Sequence, residues 1–337
     1  MLKNNVAGAE KVVGVEPSPS ITGKTGKPMT STSRNSYGAG DVFFKYLTLA
    51  FSLSIICLVL VVGWQLFKNS SLSMRNTSFG FLWNEIWDPV AEKFGALPFI
   101  YGTLVSSALA LAIAVPLGLG VAIFLTELAP PALADKIGFL TELLAAIPSV
   151  VYGLIGIFVL VPWMRNFLEP LFSKSLGFIP LFKGTPYGVG MLTAGIVLAI
   201  MVLPFIATIS REILLTVPQS LKESAMSLGA TRWETLWLVT IPFSRSGILG
   251  SIFLALGRAL GETMAVTMVI GNRPEIKLSL FEPGYTMAAV IANEFTEATS
   301  DLYVSTLIEI GLVLFVITII VNGIARLLIY KTAKSAA

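Results

Sequence analysis

The chain has 337 residues, 55% of them hydrophobic and 13% charged, with a mean hydropathy of +0.80 and a net charge of +3. A soluble domain carries about 25% charged residues, so a chain this apolar needs lipid as its solvent, and so small a net charge gives no electrostatic footprint for nucleic acid. With no histidine and a single cysteine, Cys57, it excludes imidazole bases, Ser-His-Asp triads, histidine-ligated metals, thiolate cages and an internal disulfide.

Residues 1–42 are rich in Ser, Thr, Gly, Pro and Lys and poor in large apolar side chains. Such a segment cannot bury enough surface to offset its ordering entropy, so a disordered tail is expected there. Its Gly23-Lys24-Thr25 resembles the end of a nucleotide-binding loop, but Ser18 stands where that loop needs glycine. Over residues 43–330, six apolar runs are long enough to cross a hydrocarbon core of about 30 Å: 43–67, 98–125, 143–161, 187–209, 247–270 and 302–330. The expected fold is therefore an all-α integral membrane protein with six transmembrane helices. The first run reads as an uncleaved anchor, because it starts late and is too long for a signal peptide. Pro116, Gly118 and Gly120 in the second run, and Pro148 and Gly153 in the third, mark kinks or close packing. Six spans put both termini on one side. Lys and Arg number fourteen on that side, counting Lys45 and Arg326 at the inner ends of their spans, and eight on the other, favouring termini inside, although the two sides are equal once the tail and Lys45 are set aside. Trp83, Trp87 and Trp163 suit an outer interfacial belt.

Between the fourth and fifth runs lies the polar segment 210–246. Pro218 can open a helix and Gly229 can close it with a left-handed cap. Thr231 can cap a second helix, with Glu234 three residues on completing a capping box, and Pro242 marks an end before the next span. Leu221, Ala225 and Leu228 recur at helical spacing and give one apolar face. Such a hairpin is either a plain connector or an amphipathic module built to enter a groove on a soluble partner. The run 223–242 resembles the EAA loop of ATP-binding-cassette importer permeases: Glu223-Ser224-Ala225, then Gly229-Ala230, then Ile241-Pro242, with Ser224 in place of the family's first alanine. That resemblance implies a coupling helix held in a cleft of a cytoplasmic ATPase, which puts the loop and both termini inside.

The fifth run contains Gly257-Arg258-Ala259-Leu260-Gly261-Glu262-Thr263, with Arg258 at its midpoint. An arginine there costs at least about 2.5–3.5 kcal/mol on insertion scales, so it should face the bundle interior or a watery path. Glu262 is four residues on, one turn up on the same face, and the two could form an ion pair inside the membrane. The guanidinium is a permanent cation with a planar fork that matches phosphate or carboxylate. The alternative is a static pair that fixes helix packing. Glu309 lies about 10 Å inside the sixth run by helix rise, and the outer loop 272–301 holds five acids and two bases.

The run from Gly257 to Val266, with Leu144-Ala145-Ala146-Ile147-Pro148-Ser149-Val150-Val151-Tyr152-Gly153, resembles the phosphate-specific transport (Pst) permeases, in particular the C-type (PstC-like) subunit. The resemblance spans about 43–330. It implies a type I importer permease fold with termini inside, a transmembrane core over 99–329, and a path involving Arg258, Glu262 and Thr263. It implies ATPase coupling through Glu223, Ser224, Ala225, Gly229, Ala230 and Pro242. It further implies a second homologous permease, two copies of an ATP-binding ATPase, an extracytoplasmic phosphate-binding protein and the bacterial cytoplasmic membrane. This chain would itself hold no cofactor or metal and break no bond. Other readings are a sulfate or molybdate permease, or a proton-coupled transporter using Glu262 and Glu309; the coupling loop speaks against the second.

Overall fold

The computed structural model describes residues 39–334. The expected tail, up to residue 38, and Gly23-Lys24-Thr25 lie outside the described residues, whereas residues 39–42 already belong to the first helix. Six helices are long and apolar enough to cross a membrane: Gly40–Asn69, Leu97–Leu128, Ser149–Leu176, Met191–Leu215, Arg232–Leu260 and Asp301–Lys331. Among the described residues there is no strand, only two isolated bridges, Asp88–Lys93 and Gly271–Gly284.

Contacts divide the chain at Ile56 and Cys57, inside the first helix. The described part of the N-terminal unit is helix with apolar side chains exposed, Phe43, Phe51 and Ile55 among them. The larger unit is a bundle in which the second and fourth spans pack most extensively, and the fourth also packs on the fifth. Ala110 and Ala114 of the second span, Ala194, Leu198 and Val202 of the fourth, and Ala255 and Ala259 of the fifth are buried together. Small side chains let backbones approach, and in lipid this close packing stands in for the hydrophobic effect between helices. A second buried cluster, with Phe81, Phe94, Phe99, Tyr285, Met287 and Tyr303, joins the segment before the second span to the start of the sixth.

Three spans depart from the apolar runs, the third and fifth at proline or glycine. The run 143–161 straddles a break: one helix covers Pro131–Ala145 and the next begins at Ser149. Pro148 disfavours helical backbone at Ile147 and opens the new helix. That helix then runs to Leu176, beyond Pro162 and Pro170. One π-turn covers Gly156–Leu160, directly before Val161-Pro162, and another covers Met164–Leu168, directly before Glu169-Pro170. A proline ring removes one hydrogen bond and crowds the carbonyl four residues back, and a local widening of the helix relieves both. The fourth helix runs six residues further than its apolar run, to Leu215. The fifth differs most. The helix expected between Thr231 and Pro242 is not separate: Arg232–Thr235, a π-turn Leu236–Thr240 and Ile241–Leu260 form one continuous helix through Pro242. At its other end the helix stops at Leu260 instead of reaching Ile270; Gly261, Glu262 and Thr263 are not helical, and a short helix Met264–Val269 follows.

Candidate functional site: an exposed hairpin and a broken fifth span

The hairpin forms by the local rules its sequence states. Pro218 opens Gln219–Ser227, a helix with no buried residue. Gly229 has φ +94°, and a Cβ added there would meet nothing within 4 Å, so the turn needs glycine for its backbone and not for space. Ala230 N–H donates to Ala225 O at 3.2 Å, closing the helix end. Thr231 and Glu234 make the reciprocal capping box, with Glu234 Oε2 accepting Thr231 N–H at 2.8 Å. Leu221 and Leu228 are exposed, Leu228 at 90%, while Ala225 is half-buried. Glu223 is exposed, and the Ser224 hydroxyl turns back to donate to Ser220 O at 2.7 Å. Pro242 is exposed in the first turn of the helical segment Ile241–Leu260.

Arg258 lies in the last turn of Ile241–Leu260 and is exposed. The helix break sets its surroundings. No ion pair joins it to Glu262, contrary to what a continuous helix would give: with backbone helicity lost at Gly261, the two side chains no longer share a face. Each charge meets a helix end instead. The Arg258 cation lies at the negative C-terminal end of one helix. Glu262 Oε1 accepts Ala265 N–H at 3.2 Å, capping the positive N-terminal end of the next. The guanidinium carbon lies 5.9 Å from the centroid of the Phe205 ring. Thr263 Oγ1 donates to Gly261 O at 3.3 Å, and its carbonyl accepts the Thr267 hydroxyl at 2.7 Å, so Thr263 braces the break from both sides.

The two runs on which the family resemblance rests are brought into contact. The helix Ser149–Ile155 packs on Met264–Val269. A Cβ on Gly153 would lie 2.5 Å from Met268 Sδ and 3.1 Å from Ala265 Cα, so only glycine permits this approach without displacement. Tyr152 Oη donates to Leu144 O at 2.6 Å, bridging the break at Pro148. Phe205 carries no signal in the sequence; it faces Arg258 only because the fourth and fifth spans pack together.

The remaining polar groups are elsewhere. Glu309 is 5% exposed, its Oε2 has no partner, and it borders a cavity of about 680 Å³ between the second and sixth spans, far in sequence and lining from the residues around Arg258. The loop 272–301, expected outside, packs over the ends of the second and sixth spans. Trp87 Nε1 and Tyr303 Oη donate to Glu294 Oε2 at 2.9 and 2.5 Å. Tyr285 is buried there, and that burial pushes its phenol up from the ordinary value. Trp83 is exposed and Trp163 partly so, in keeping with a belt, whereas Trp87 is absorbed into the aromatic cluster at 4.8 Å from Phe99. Sequence reasoning missed Lys222 and Glu127, which pair at 2.5 Å across 95 residues and have no local signal.

A family model for the inner membrane component of binding-protein-dependent transport systems matches residues 114–334. The chain is 49% identical to the phosphate transport system permease protein PstC of Mesorhizobium japonicum, over 90% of this chain and 95% of the relative. It is 46% identical to the protein of the same name from Pasteurella multocida, over 91% and 97%. In three dimensions it resembles a chain of a bacterial alginate ABC transporter crystallised with an alginate-bound periplasmic protein, with TM-score 0.56, 16% identity, and coverage of 85% of this chain and 94% of that one. That likeness speaks for the fold alone. Six apolar spans, an exposed hairpin and a broken fifth span, on a chain so similar to these relatives, place it as a multi-pass inner membrane protein that belongs to the PstC phosphate transport permeases within the binding-protein-dependent inner membrane components.

Proposed function

We propose that this chain is a permease subunit of an ATP-driven importer that moves inorganic phosphate across the cytoplasmic membrane. The observation that carries the reading is the break at the end of the fifth helix, with an exposed guanidinium that pairs with no carboxylate among the described residues. Irregular backbone within a span is tolerated where it is covered by protein or lines a water-filled cavity, and an arginine there has the same requirement. An unpaired, planar cation in such a place suits a tetrahedral oxyanion. The relatives' name supplies which oxyanion.

In this reading the chain breaks no bond and holds no cofactor or metal. ATP is bound by two copies of a cytoplasmic ATPase, and the hairpin around Glu223, Ser224, Ala225, Gly229 and Ala230 docks into one of them, with Pro242 passing the helix on into the membrane. The loop and both termini are then inside. A second, homologous permease covers the face that carries Arg258, and an extracytoplasmic binding protein delivers phosphate. Arg258 holds the anion in passage. Glu262 and Thr263 keep the break open by capping and bracing it.

The test is ATP-dependent uptake of radiolabelled phosphate by the complete transporter in proteoliposomes, against sulfate and molybdate. Two unit charges about 4 Å apart interact by about 4 kcal/mol at an effective dielectric of about 20. Arg258→Gln should therefore lower uptake by orders of magnitude while the subunits still co-purify. Sulfate uptake in preference to phosphate would overturn the substrate. Full phosphate uptake by Arg258→Gln would overturn the site.

A further inference from the structure

We infer that Lys222 and Glu127 are a positioning pair that ties the first arm of the hairpin to the second span, so that movement of the docked hairpin is delivered to that span. The inference rests on the function proposed above. Of the hairpin's two arms, the second is continuous with the fifth span, from Arg232 to Leu260. Whatever turns this arm also turns the helix whose last turn carries Arg258. The first arm has no such continuity. The fourth span ends at Leu215, and Thr216-Val217-Pro218 separate it from Gln219–Ser227. No residue of that arm is fully buried, and its packing is against the second arm and not the second span.

Among the described residues, one ion pair ties it to the second span. Lys222 Nζ lies 2.5 Å from Glu127 Oε1, with side chains only 13% and 24% exposed. Groups so shielded from water are screened far less than surface pairs. Glu127 stands in the π-turn Phe124–Leu128 that ends the second span. That span packs along the fourth more extensively than any other two elements pack. The nearby pair Arg211–Asp135 is looser, at 3.8 Å, with Asp135 80% exposed, and it joins the fourth span to the helix Pro131–Ala145, not to the hairpin. The hairpin therefore has two outputs: the second arm moves the fifth span through an unbroken helix, and the first arm moves the second span through Lys222 and Glu127. Docking at one surface then shifts two spans against each other, as alternating access requires.

The experiment uses the complete transporter in proteoliposomes and reads phosphate taken up per ATP hydrolysed. Coupling between sites commonly spans about 5–150-fold, so Lys222→Met and Glu127→Gln should each lower the ratio about tenfold while ATP hydrolysis persists. The exchange of Lys222→Glu with Glu127→Lys should restore it. A ratio unaltered in the singles, or uptake and hydrolysis lost together with no recovery in the exchange, overturns the inference. Should the singles fail to assemble, Lys222→Cys with Glu127→Cys in a Cys57→Ser background supplies a second reading. A short bismaleimide across the two thiols should raise the ratio toward that of the wild type, and a ratio left low by the cross-link overturns the inference. A wild-type transporter that moves sulfate in place of phosphate would refute the proposed substrate alone, and the ratio would then be read with sulfate.

Discussion

Gly153→Ala tests whether the contact between the third and fifth spans is as tight as the structure makes it. The added Cβ would lie 2.5 Å from Met268 Sδ and 3.1 Å from Ala265 Cα. Carbon atoms pack best at about 3.5–4.0 Å, so the backbone at Ala265 must recede by roughly half an ångström and the sulfur by about 1 Å. The two obstacles differ in stiffness. Met268 has three rotatable bonds and can swing away. Ala265 is backbone in a short helix whose first turn is capped by Glu262, so it moves only if Met264–Val269 moves with it. Overpacking of this kind costs about 1–3 kcal/mol. Met268→Ala should remove the sulfur's share and leave the backbone's. The double mutant should therefore be less destabilised than the sum of the singles by about 1 kcal/mol, within the usual range for residues in contact. The assay is thermal loss of monodisperse protein in detergent, run on the wild type, both singles and the double, with phosphate uptake measured in parallel. Uptake should fall in Gly153→Ala, because the displaced helix carries the break beside Arg258. A neutral Gly153→Ala, or strict additivity in the cycle, would show that the two helices do not meet as described.

Three further expectations follow from particular residues. Gly229→Ala should cost about 1–2 kcal/mol at the turn through its left-handed backbone alone, and Gly229→Asp adds a charge at the docking surface; uptake should fall in both while membrane insertion persists, and wild-type ATPase association and uptake in Gly229→Asp would count against docking. In a Cys57→Ser background, a cysteine at Leu228 should react with an impermeant maleimide only from the cytoplasm and one at Val90 only from outside, both positions being at least 90% exposed; reversed labelling would overturn the orientation. Glu262→Gln keeps an oxygen that can accept from Ala265 N–H and should preserve stability, whereas Glu262→Ala loses the cap and should cost about 0.5–2 kcal/mol; equal stability of the two would remove the capping role.

Much of the hairpin was legible because its devices are local. Pro218, Gly229, Thr231 and Glu234 each act within a few residues, and the structure realises the helix start, the left-handed turn and the capping box where the spacing put them. Pro242 was misread for a reason equally local: at the end of a π-turn and in the first turn of a helical segment, proline costs no hydrogen bond that the chain still needs. The six spans were legible from apolar length, yet their ends were not, since the same side chains suit lipid whether a helix continues or breaks. Contacts across long separations, such as Lys222 with Glu127 or Arg258 with Phe205, leave no trace in one sequence.

The pairing of Arg258 with Glu262 shows where periodicity alone misleads. Two opposite charges four residues apart attract in a continuous helix, and in lipid that attraction would be strong. The structure satisfies them differently. Breaking the helix at Gly261 creates a C-terminal end for the arginine and an N-terminal end for the glutamate, so each charge is met by backbone dipoles. An ion pair would have to be broken by every anion that bound the guanidinium, at a cost on each passage. A carboxylate occupied as a helix cap does not compete for the arginine. Its remaining negative charge, a few residues off, still limits how tightly an anion can be held, and a carrier that must release its cargo needs that limit. For the role proposed for Arg258, the arrangement that the helical spacing did not foretell is thus the better suited one.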